Sequence, residues 1–399
     1  MNWLRALLNP FRQFGEWLFG YGSPVTMGLF RAVFGGLIFT NLMMISIDFE
    51  AWFTEKGFTP VYLLEYWNGD VIRYSPLANV TDSRITLLAF IVTTLAALFT
   101  SLGLFSRVSS VVLLLGLTAF HLRNPDILHS GDTLMRAMAL YIALSPSGAA
   151  CSIDRLIGLW RGKAPLEPLD VSLWPQRMMQ IQLALVYFAT AWHKSFGDWW
   201  LNGTATYYLP HLDEFDRFPV PAWVDHPIMI SASTWFTLLM EVALATLIFS
   251  KPFRKWVLLG GILLHVGIEY RMNIPLFAFI ITSCYITFYE GTEVTLWASR
   301  VGQRLKKWQL SVQMPSGREL RKSGLAVLSA VDPFGLVTYN RGETGDWRSL
   351  TPSGTAVAFT SATLARSPGA WLLWLWPPAW RRLCDRALAT VEDSDATAP

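Results

Sequence analysis

Long apolar segments recur through the first three quarters of the chain and limit what it can fold into. A helix needs about 20 apolar residues to cross the roughly 30 Å hydrocarbon core of a bilayer. Segments that reach or approach this length lie at 25–48, 84–104, 106–122, 132–150, 173–195, 229–249, 255–270 and 274–292. With 52% hydrophobic and only 15% charged residues, the sequence predicts an all-α polytopic membrane protein with about eight transmembrane helices over 23–293.

The two ends of the chain differ from this apolar region. Apolar residues recur at helical spacing in MNWLRALLNPFRQFGEWLFG, with arginines between them, and predict an interfacial amphipathic helix over 1–22. The more polar segment 294–399 predicts a small C-terminal extension. Its short apolar run AWLLWLWPP is typical of either a small domain or an interfacial helix, and we expect the final DSDATAP to be disordered.

The charges of the loops predict an orientation. Lysine and arginine concentrate in 151–172, in SKPFRK at 250–255, and just after residue 293. The loop 196–228 instead carries five acidic residues and one arginine. The positive-inside rule therefore places both termini in the cytoplasm and this loop at the outer face of the membrane. A net charge of +3 without a basic stripe argues against nucleic-acid binding, and three scattered cysteines provide no CxxC pair.

Ionisable residues occur at membrane depth, where they are costly and usually serve a site or pair with each other. Asp132 and Arg136 are four residues apart and share a helix face, as do His265 and Glu269. The first pair is typical of a structural ion pair. The second fits either a hydrogen-bonded structural histidine or a proton-handling pair. No ligand spacing in this region supports a metal site.

Lys194 lies at the end of an apolar segment, where hydrocarbon gives way to water. A lysine there either extends its ammonium group to the interface or serves a buried site. Desolvation can turn a lysine into an amine base near neutral pH, whereas an ion pair with Asp198 would keep it protonated. Glu241, within LLMEVALA, would neutralise Arg31 or another buried cation from a neighbouring helix.

Three segments carry a family resemblance. The lysine segment reads VYFATAWHKSFGDWWLNGTATYYL, with an apolar helix, a lysine, a short turn, Asp-Trp, a glycine and paired aromatics. It is preceded by HSGDTLMRAMALYIALSPSG and followed by LLHVGIEYRMNIPLFAFIITSCYITF. On these segments, over about residues 10–293, the chain resembles the vitamin K-dependent γ-glutamyl carboxylase superfamily. It is most similar to the bacterial branch with a horizontally transferred transmembrane (HTTM) domain.

The resemblance implies a chemistry. In the carboxylases, the lysine at the position of Lys194 deprotonates reduced vitamin K, and oxygen then yields an epoxide and a strong base that removes a γ-proton from a peptide glutamate. Lys194 is thus the candidate base and a reduced, vitamin K-like quinone the candidate cofactor. The position of the family's catalytic histidine corresponds to His129 or to Gly131. The further candidates are Asp132, His265 and Glu269 for catalysis, and Trp192, Trp199 and Tyr207 for binding the cofactor.

The sequence departs from the clotting-type carboxylases after the last apolar segment. Those enzymes carry a large, mostly β, extracytoplasmic domain, whereas about a hundred residues follow here, on the predicted inner side. This difference disfavours peptide γ-carboxylation in that form. The tail at 350–390 weakly resembles the back half of a thioredoxin-like domain that some bacterial members carry, without its cysteine pair.

Three functions are consistent with the sequence. The first is a quinol- or lipid-using membrane enzyme, which predicts a buried Lys194 without a carboxylate partner, beside a cavity open to lipid and to the outer face. The second is a non-catalytic factor for maturation or export of a secreted peptide, which predicts a peptide groove in 196–228. The third is an accessory subunit of a larger membrane complex, which predicts a closed interior.

Overall fold

The computed structural model describes residues 2–63, 75–208, 211–215, 217–219 and 221–390, so part of the loop 49–83 and the terminal DSDATAP lie outside the described residues. The chain divides into two compact units. The first comprises the residues up to Gly22, Leu29–Ser147 and Val171–Tyr289. The second comprises Ser23–Gly28, Gly148–Asp170 and the described residues from Glu290 onward.

Helices dominate the chain before residue 290. In order they are α1 (Asn2–Leu18), α2 (Val25–Ile45), α3 (Ser83–Leu102), α4 (Ser106–Arg123), α5 (Ser130–Leu144), α6 (Ile153–Trp160), α7 (Trp174–Lys194), α8 (Pro227–Thr246), α9 (Lys251–Arg271) and α10 (Phe277–Ser283). Short helices lie at Phe49–Phe53, Asp198–Leu201 and Ala205–Tyr208. The strands β1 (Tyr21–Gly22) and β2 (Val171–Ser172) pair antiparallel. Of these elements, α6 belongs to the second unit.

Each of the predicted apolar segments contains a helix, which confirms a mainly helical protein with membrane-type helices. Within the described ranges, three helical stretches are long and apolar enough to cross a bilayer: Val25–Phe53, Ser83–Leu102 and Pro227–Phe249. The others are shorter, less apolar or interrupted. For example, α10 is 7 residues long and continues as a 3-10 helix over Cys284–Phe288. Eight crossings therefore remain a prediction.

A buried arginine joins α2 to the end of α3. The Arg31 guanidinium donates to the carbonyls of Ser101 at 2.7 Å, Ser147 at 3.2 Å and Thr100. The carbonyls in the last turn of a helix lack intrahelical donors and carry the negative end of its dipole. The helix end therefore compensates this buried charge, and Arg31 is not the partner of Glu241.

Close packing fixes the helices of the first unit against each other. A Cβ at Gly116 of α4 would lie 2.2 Å from Thr93 Oγ1 of α3, so the missing side chain allows these helices to approach closely. The N-terminal helix α1 is fixed by Trp17, whose ring lies 5.1 Å from the Arg177 guanidinium carbon. Its placement at a membrane interface remains a prediction.

The second unit contains a mixed sheet. Its strands are β3 (Leu310–Gln313), β4 (Arg318–Leu320), β5 (Val337–Asn340), β6 (Arg348–Leu350), β7 (Ala356–Val357) and β8 (Leu388–Thr390). Its later helices are α11 (Gly291–Arg304), α12 (Lys322–Val331), α13 (Phe359–Leu364) and α14 (Pro377–Arg386). The main sheet has the order β5-β3-β6-β7, with β3 parallel to β5 and antiparallel to β6, while β4 and β8 form a separate pair.

The prediction of an all-α protein is wrong for this region, because strands of two to four residues leave little periodicity in the sequence. The elements β3, α12 and β5 form a βαβ unit, the context in which a thioredoxin-type CxxC occurs. Here MPSGRELR joins β3 to α12 and contains no cysteine. Helix α14 is not an interfacial helix lying apart from a domain, since Trp380 and Cys384 are fully buried in the core of the unit. Leu156 of α6 packs against the same core.

Candidate functional site

An ion pair joins α7 to α8. Lys194 is the last residue of α7, and its Nζ donates to Oε1 of Glu241 in the second half of α8. The lysine side chain is 24% exposed and that of the glutamate 8%. The ammonium group also lies 4.6 Å from the centroid of the Trp200 ring, in a cation–π contact. Lys194 therefore has a carboxylate partner, which differs both from the Asp198 pair considered above and from the unpaired lysine that a simple amine base requires.

The position of Glu241 follows from the buried stripe of α8. Thr234, Thr237, Leu238, Glu241 and Leu244 are buried along this helix. Their spacing of three and four residues places them on one face. A carboxylate in such a stripe points into the bundle, where a charge is costly unless it is paired. The cation at the end of α7 meets this requirement.

Deeper in the bundle, three side chains form a hydrogen-bonded network. The Tyr187 hydroxyl of α7 lies 2.8 Å from His265 Nε2 of α9 and 2.7 Å from the Tyr285 hydroxyl. All three side chains are buried. A Cβ at Gly261 would lie 2.4 Å from that Tyr285 oxygen, so the glycine provides the space for the hydroxyl.

The network and the ion pair are neighbours. Tyr187 and Lys194 are seven residues apart on α7, hence on one face and separated by about 10 Å along the helix axis. Glu241 is close enough to Tyr187, and Lys194 to His265, for electrostatic interaction. We refer to Lys194, Glu241, Tyr187, His265 and Tyr285 as the polar cluster.

Two buried atoms of the polar cluster have unused hydrogen-bonding capacity. Within the part of the chain that the structure describes, Glu241 Oε2 and His265 Nδ1 have no hydrogen-bond partner of standard geometry. The hydroxyl of Thr190 donates to the Tyr187 carbonyl at 3.0 Å and also lies near the Glu241 carboxylate. An unsatisfied buried polar group costs about 1–3 kcal/mol. The cluster therefore has a capacity for a ligand that donates a hydrogen bond.

An open cleft of about 600 Å³ lies beside the ion pair. It is lined by His193, Lys194, Gly197, Asp198, Trp199 and Trp200. The indole rings provide flat apolar walls, and the lysine provides a cation. Such a combination suits a flat, partly polar ring.

The predicted cofactor-binding aromatics do not converge on this cleft. Trp199 lines it and stacks on Tyr208, with ring centroids 4.4 Å apart. Trp192 is exposed and packs on Phe188 and Phe196, while Tyr207 stacks on His211 at 4.4 Å. Of these three candidates, the structure therefore brings Trp199 alone to the cleft.

His129 and Asp132 cap the start of α5. Nδ1 of His129 accepts from the Gly131 N–H at 2.9 Å, and the His129 N–H donates to Asp132 Oδ2 at 2.9 Å. This reciprocal arrangement is a capping box, which satisfies donors at the first turn of a helix. Asp132 also accepts from Asn41 at 3.5 Å, and Arg136 is within electrostatic range. These contacts favour a structural role for His129 and Asp132.

One phenyl ring links the capping box to the polar cluster. The imidazoles of His129 and His265 both pack edge-to-face on Phe277, with centroid distances of 6.1 Å and 5.6 Å. The two histidines are thus brought to one region of the bundle without contacting each other through polar atoms.

Glu269 is directed away from His265. Its carboxylate pairs with Arg217, which also donates to the Glu269 carbonyl at 3.0 Å, and it accepts from the Ala278 N–H at 3.4 Å. The spacing of four residues correctly placed His265 and Glu269 on one helix face, but the partner of Glu269 is Arg217 rather than His265. Among the residues that the structure describes, no group of three or more His, Cys, Asp or Glu side chains could hold a metal ion.

Tyr187 and Tyr285 were missed by the sequence analysis. Tyrosine is common near membrane interfaces, so neither residue stood out within an apolar segment. Their spacing to His265, at 78 and 20 residues, contains no local signal. The position of Tyr187 two turns before Lys194, on the same helix face, was the one available indication.

These features define a helical membrane protein with an ion pair and a tyrosine–histidine network between its helices. Residues 22–292, about two thirds of the chain, match the model of the HTTM domain family, and the chain belongs to this family. It is therefore a membrane protein of the carboxylase-like group. No curated protein and no solved structure shows a significant match to it.

Proposed function

We propose that this chain is a multi-pass enzyme of the bacterial inner membrane, in which Lys194 and Glu241 deprotonate the hydroxyl of a reduced, vitamin K-like quinone. The observation that carries the proposal is the buried Glu241 Oε2, which lacks a standard hydrogen-bond partner beside Lys194 and an aromatic cleft. In the proposed orientation both termini are cytoplasmic and the cleft opens at the outer face.

The side chains around the cleft fit a quinol. Its flat ring would lie against Trp199 and Trp200, and its hydroxyl would donate to the unsatisfied oxygen of Glu241. When bound, the reduced quinone supplies a ring that reacts with oxygen to give an epoxide and a strong base.

Lys194 acts in this scheme as a fixed cation rather than as a free amine. The substrate proton moves to the unsatisfied Oε2 of Glu241, while Oε1 stays paired with the Lys194 ammonium. One O–H bond breaks in the substrate and one forms on Glu241, while Lys194 keeps three protons and its positive charge. The ammonium then stabilises the new anion, and the buried glutamate becomes neutral, which is the form that burial favours.

The Tyr187 hydroxyl supports this exchange by changing its hydrogen-bond direction. It has one proton and two neighbours, so it donates either to His265 Nε2 or to the Tyr285 oxygen. A rotating hydroxyl can adjust to a change of charge on the nearby Glu241 without movement of the helices.

The test is oxygen-dependent quinol epoxidation by the purified protein in lipid bilayers. We expect Lys194→Ala, Lys194→Arg and Glu241→Gln each to lower turnover at least about 100-fold. A charge-swapped variant, Lys194→Glu with Glu241→Lys, retains an ion pair and should still be inactive. Lys163→Ala, at an exposed lysine of the second unit, is the matched control and should keep full turnover.

Two outcomes would contradict the proposal. Full turnover in the charge-swapped variant would mean that the pair is only structural. Absence of turnover in the wild type with every reduced quinone tested would favour a non-catalytic maturation or export factor, or an accessory subunit. In both of those cases the ion pair would serve to hold α7 against α8.

A further inference from the structure

A second cavity, distinct from the cleft at Lys194, opens beside the start of α8 and the end of α9. Its volume is about 490 Å³. We call it the Trp223 groove; its lining includes Trp223, Met229, Phe236, Gly267, Tyr270 and Arg271. Apart from the arginine, this lining is almost entirely apolar.

The groove follows one face of α8. Met229 and Phe236 are seven residues apart, so they share a helix face and lie about 10 Å apart along its axis. Tyr270 forms part of the opposite wall and is held by stacking on Phe218 at 5.6 Å and by a hydrogen bond to the Pro219 carbonyl at 3.3 Å. The groove is thus an elongated apolar channel with a fixed wall.

Gly267 leaves space in the groove that helix packing does not use. A Cβ at this position would meet no atom within 4 Å. At Gly260 and Gly261 of the same helix, a Cβ would instead lie 2.3 Å from Met240 and 2.4 Å from Tyr285. Those two glycines serve contacts within the protein, whereas Gly267 faces open space.

Arg271 places a cation at one wall of this apolar channel. It is the last residue of α9, and among the described residues its guanidinium donates to the Thr206 carbonyl at 3.3 Å. Asp225 attracts this charge, but its Oδ2 lies 3.3 Å from His211 Nε2 and is shared with that side chain. Several guanidinium N–H groups therefore remain for an anionic ligand.

We propose that the Trp223 groove binds one acyl chain of an anionic phospholipid, with the phosphate at Arg271. An apolar channel with an arginine at one wall is complementary to an acyl chain that carries a phosphate. Lining residues of the groove flank Pro227, the first residue of a candidate membrane span, so the groove lies near the level of lipid phosphates. This proposal does not depend on the chemistry at Lys194.

The experiment compares phosphatidylglycerol with phosphatidylcholine of identical chains, added to the purified full-length protein. Bound lipid is counted by native mass spectrometry, and the thermal midpoint is followed in parallel. We expect wild type to prefer phosphatidylglycerol by at least about tenfold. Arg271→Gln should remove that preference while retaining the weaker binding of both lipids.

Gly267→Leu places an apolar side chain in this open space and should weaken binding of both lipids at an unchanged lipid-free thermal midpoint. Gly345→Leu is the matched control, because a Cβ at Gly345 in the second unit also meets no atom within 4 Å. Should Gly267→Leu lower the lipid-free midpoint, Phe236→Ala provides the same test, because this ring is exposed and we expect its truncation to leave the lipid-free midpoint unchanged.

Equal binding of the two lipids to wild type would overturn the proposal, as would wild-type binding by both groove variants. Oleate competes through a free carboxylate instead of a phosphate. If oleate bound more tightly than phosphatidylglycerol, the ligand would be a fatty acid and the phospholipid assignment would be wrong.

Discussion

Replacing Lys194 by methionine tests whether the ion pair to Glu241 lies in a low-dielectric environment. The substitution keeps most of the side-chain volume and leaves the glutamate, 8% exposed, without its cation. Removing one partner of a buried pair costs about 3–5 kcal/mol. Because the lysine side chain is 24% exposed and partly screened by solvent, we expect a loss of about 2–3 kcal/mol in the free energy of unfolding.

The double variant separates the pair from its parts. With Lys194→Met and Glu241→Leu together, no buried charge is left unpaired, and stability should return to within about 1 kcal/mol of wild type. The free energy of unfolding is measured in mixed micelles by titration with sodium dodecyl sulfate, followed by circular dichroism. An exposed pair provides the control: Arg12→Met, beside Glu16 on α1, should change stability by less than about 0.5 kcal/mol.

The result that would refute this reasoning is additivity. If the two single substitutions cost as little as Arg12→Met, or if the double variant cost the sum of the singles, the pair would be an interfacial contact in water. Glu241 would then be too well solvated to act as the proton acceptor proposed above.

Three further outcomes are expected. A membrane-impermeant maleimide should label the exposed Cys151 in inside-out vesicles but not in sealed cells, and Cys151→Ser should abolish this labelling. Burial raises the pKa of Cys384 to about 12 and protects that thiol until the protein unfolds. Burial raises the pKa of Asp332 above its usual value, so its contribution to stability is present below about pH 4 and is lost as pH rises through the folded pKa. Thermal midpoints from pH 4 to 7 should therefore fall more in wild type than in Asp332→Asn. Gly261→Ala should lower the free energy of unfolding by about 1–3 kcal/mol, because the added Cβ would meet the Tyr285 hydroxyl. In a Tyr285→Phe background, which lacks that hydroxyl, the same substitution should lower the free energy of unfolding by less.

The sequence was sufficient to locate the apolar helices before residue 293 and to single out Lys194 and Glu241, but not to pair these two residues. Apolar length predicted where helices would form, and the rule that buried charges are paired predicted that Glu241 would meet a cation from another helix. It could not select Lys194 over Arg31, because that choice depends on where the end of α3 lies. The last carbonyls of α3 accept from Arg31 and compensate its charge, and Glu241 pairs with Lys194 instead.

Contacts between distant segments account for the remaining differences. A spacing of four residues places His265 and Glu269 on one helix face, but Arg217 comes from a loop and takes the carboxylate. The sheet around β3 was missed because its strands are too short to leave an alternating pattern. The thioredoxin-like resemblance found at 350–390 begins only at the third strand of that sheet, and the preceding βαβ unit carries no cysteine by which it could be recognised.

The short reach of the ion pair has a consequence for energy coupling. Transfer of the substrate proton to Glu241 displaces charge by at most about the length of one hydrogen bond, roughly 3 Å of the roughly 30 Å hydrocarbon thickness. A potential of 100 mV contributes about 2.3 kcal/mol to a charge that crosses the whole membrane, and thus about 0.2 kcal/mol over this step. For the proposed reaction, turnover in proteoliposomes should therefore be nearly the same with and without an imposed voltage, so that the reaction would run equally well in energised and de-energised cells.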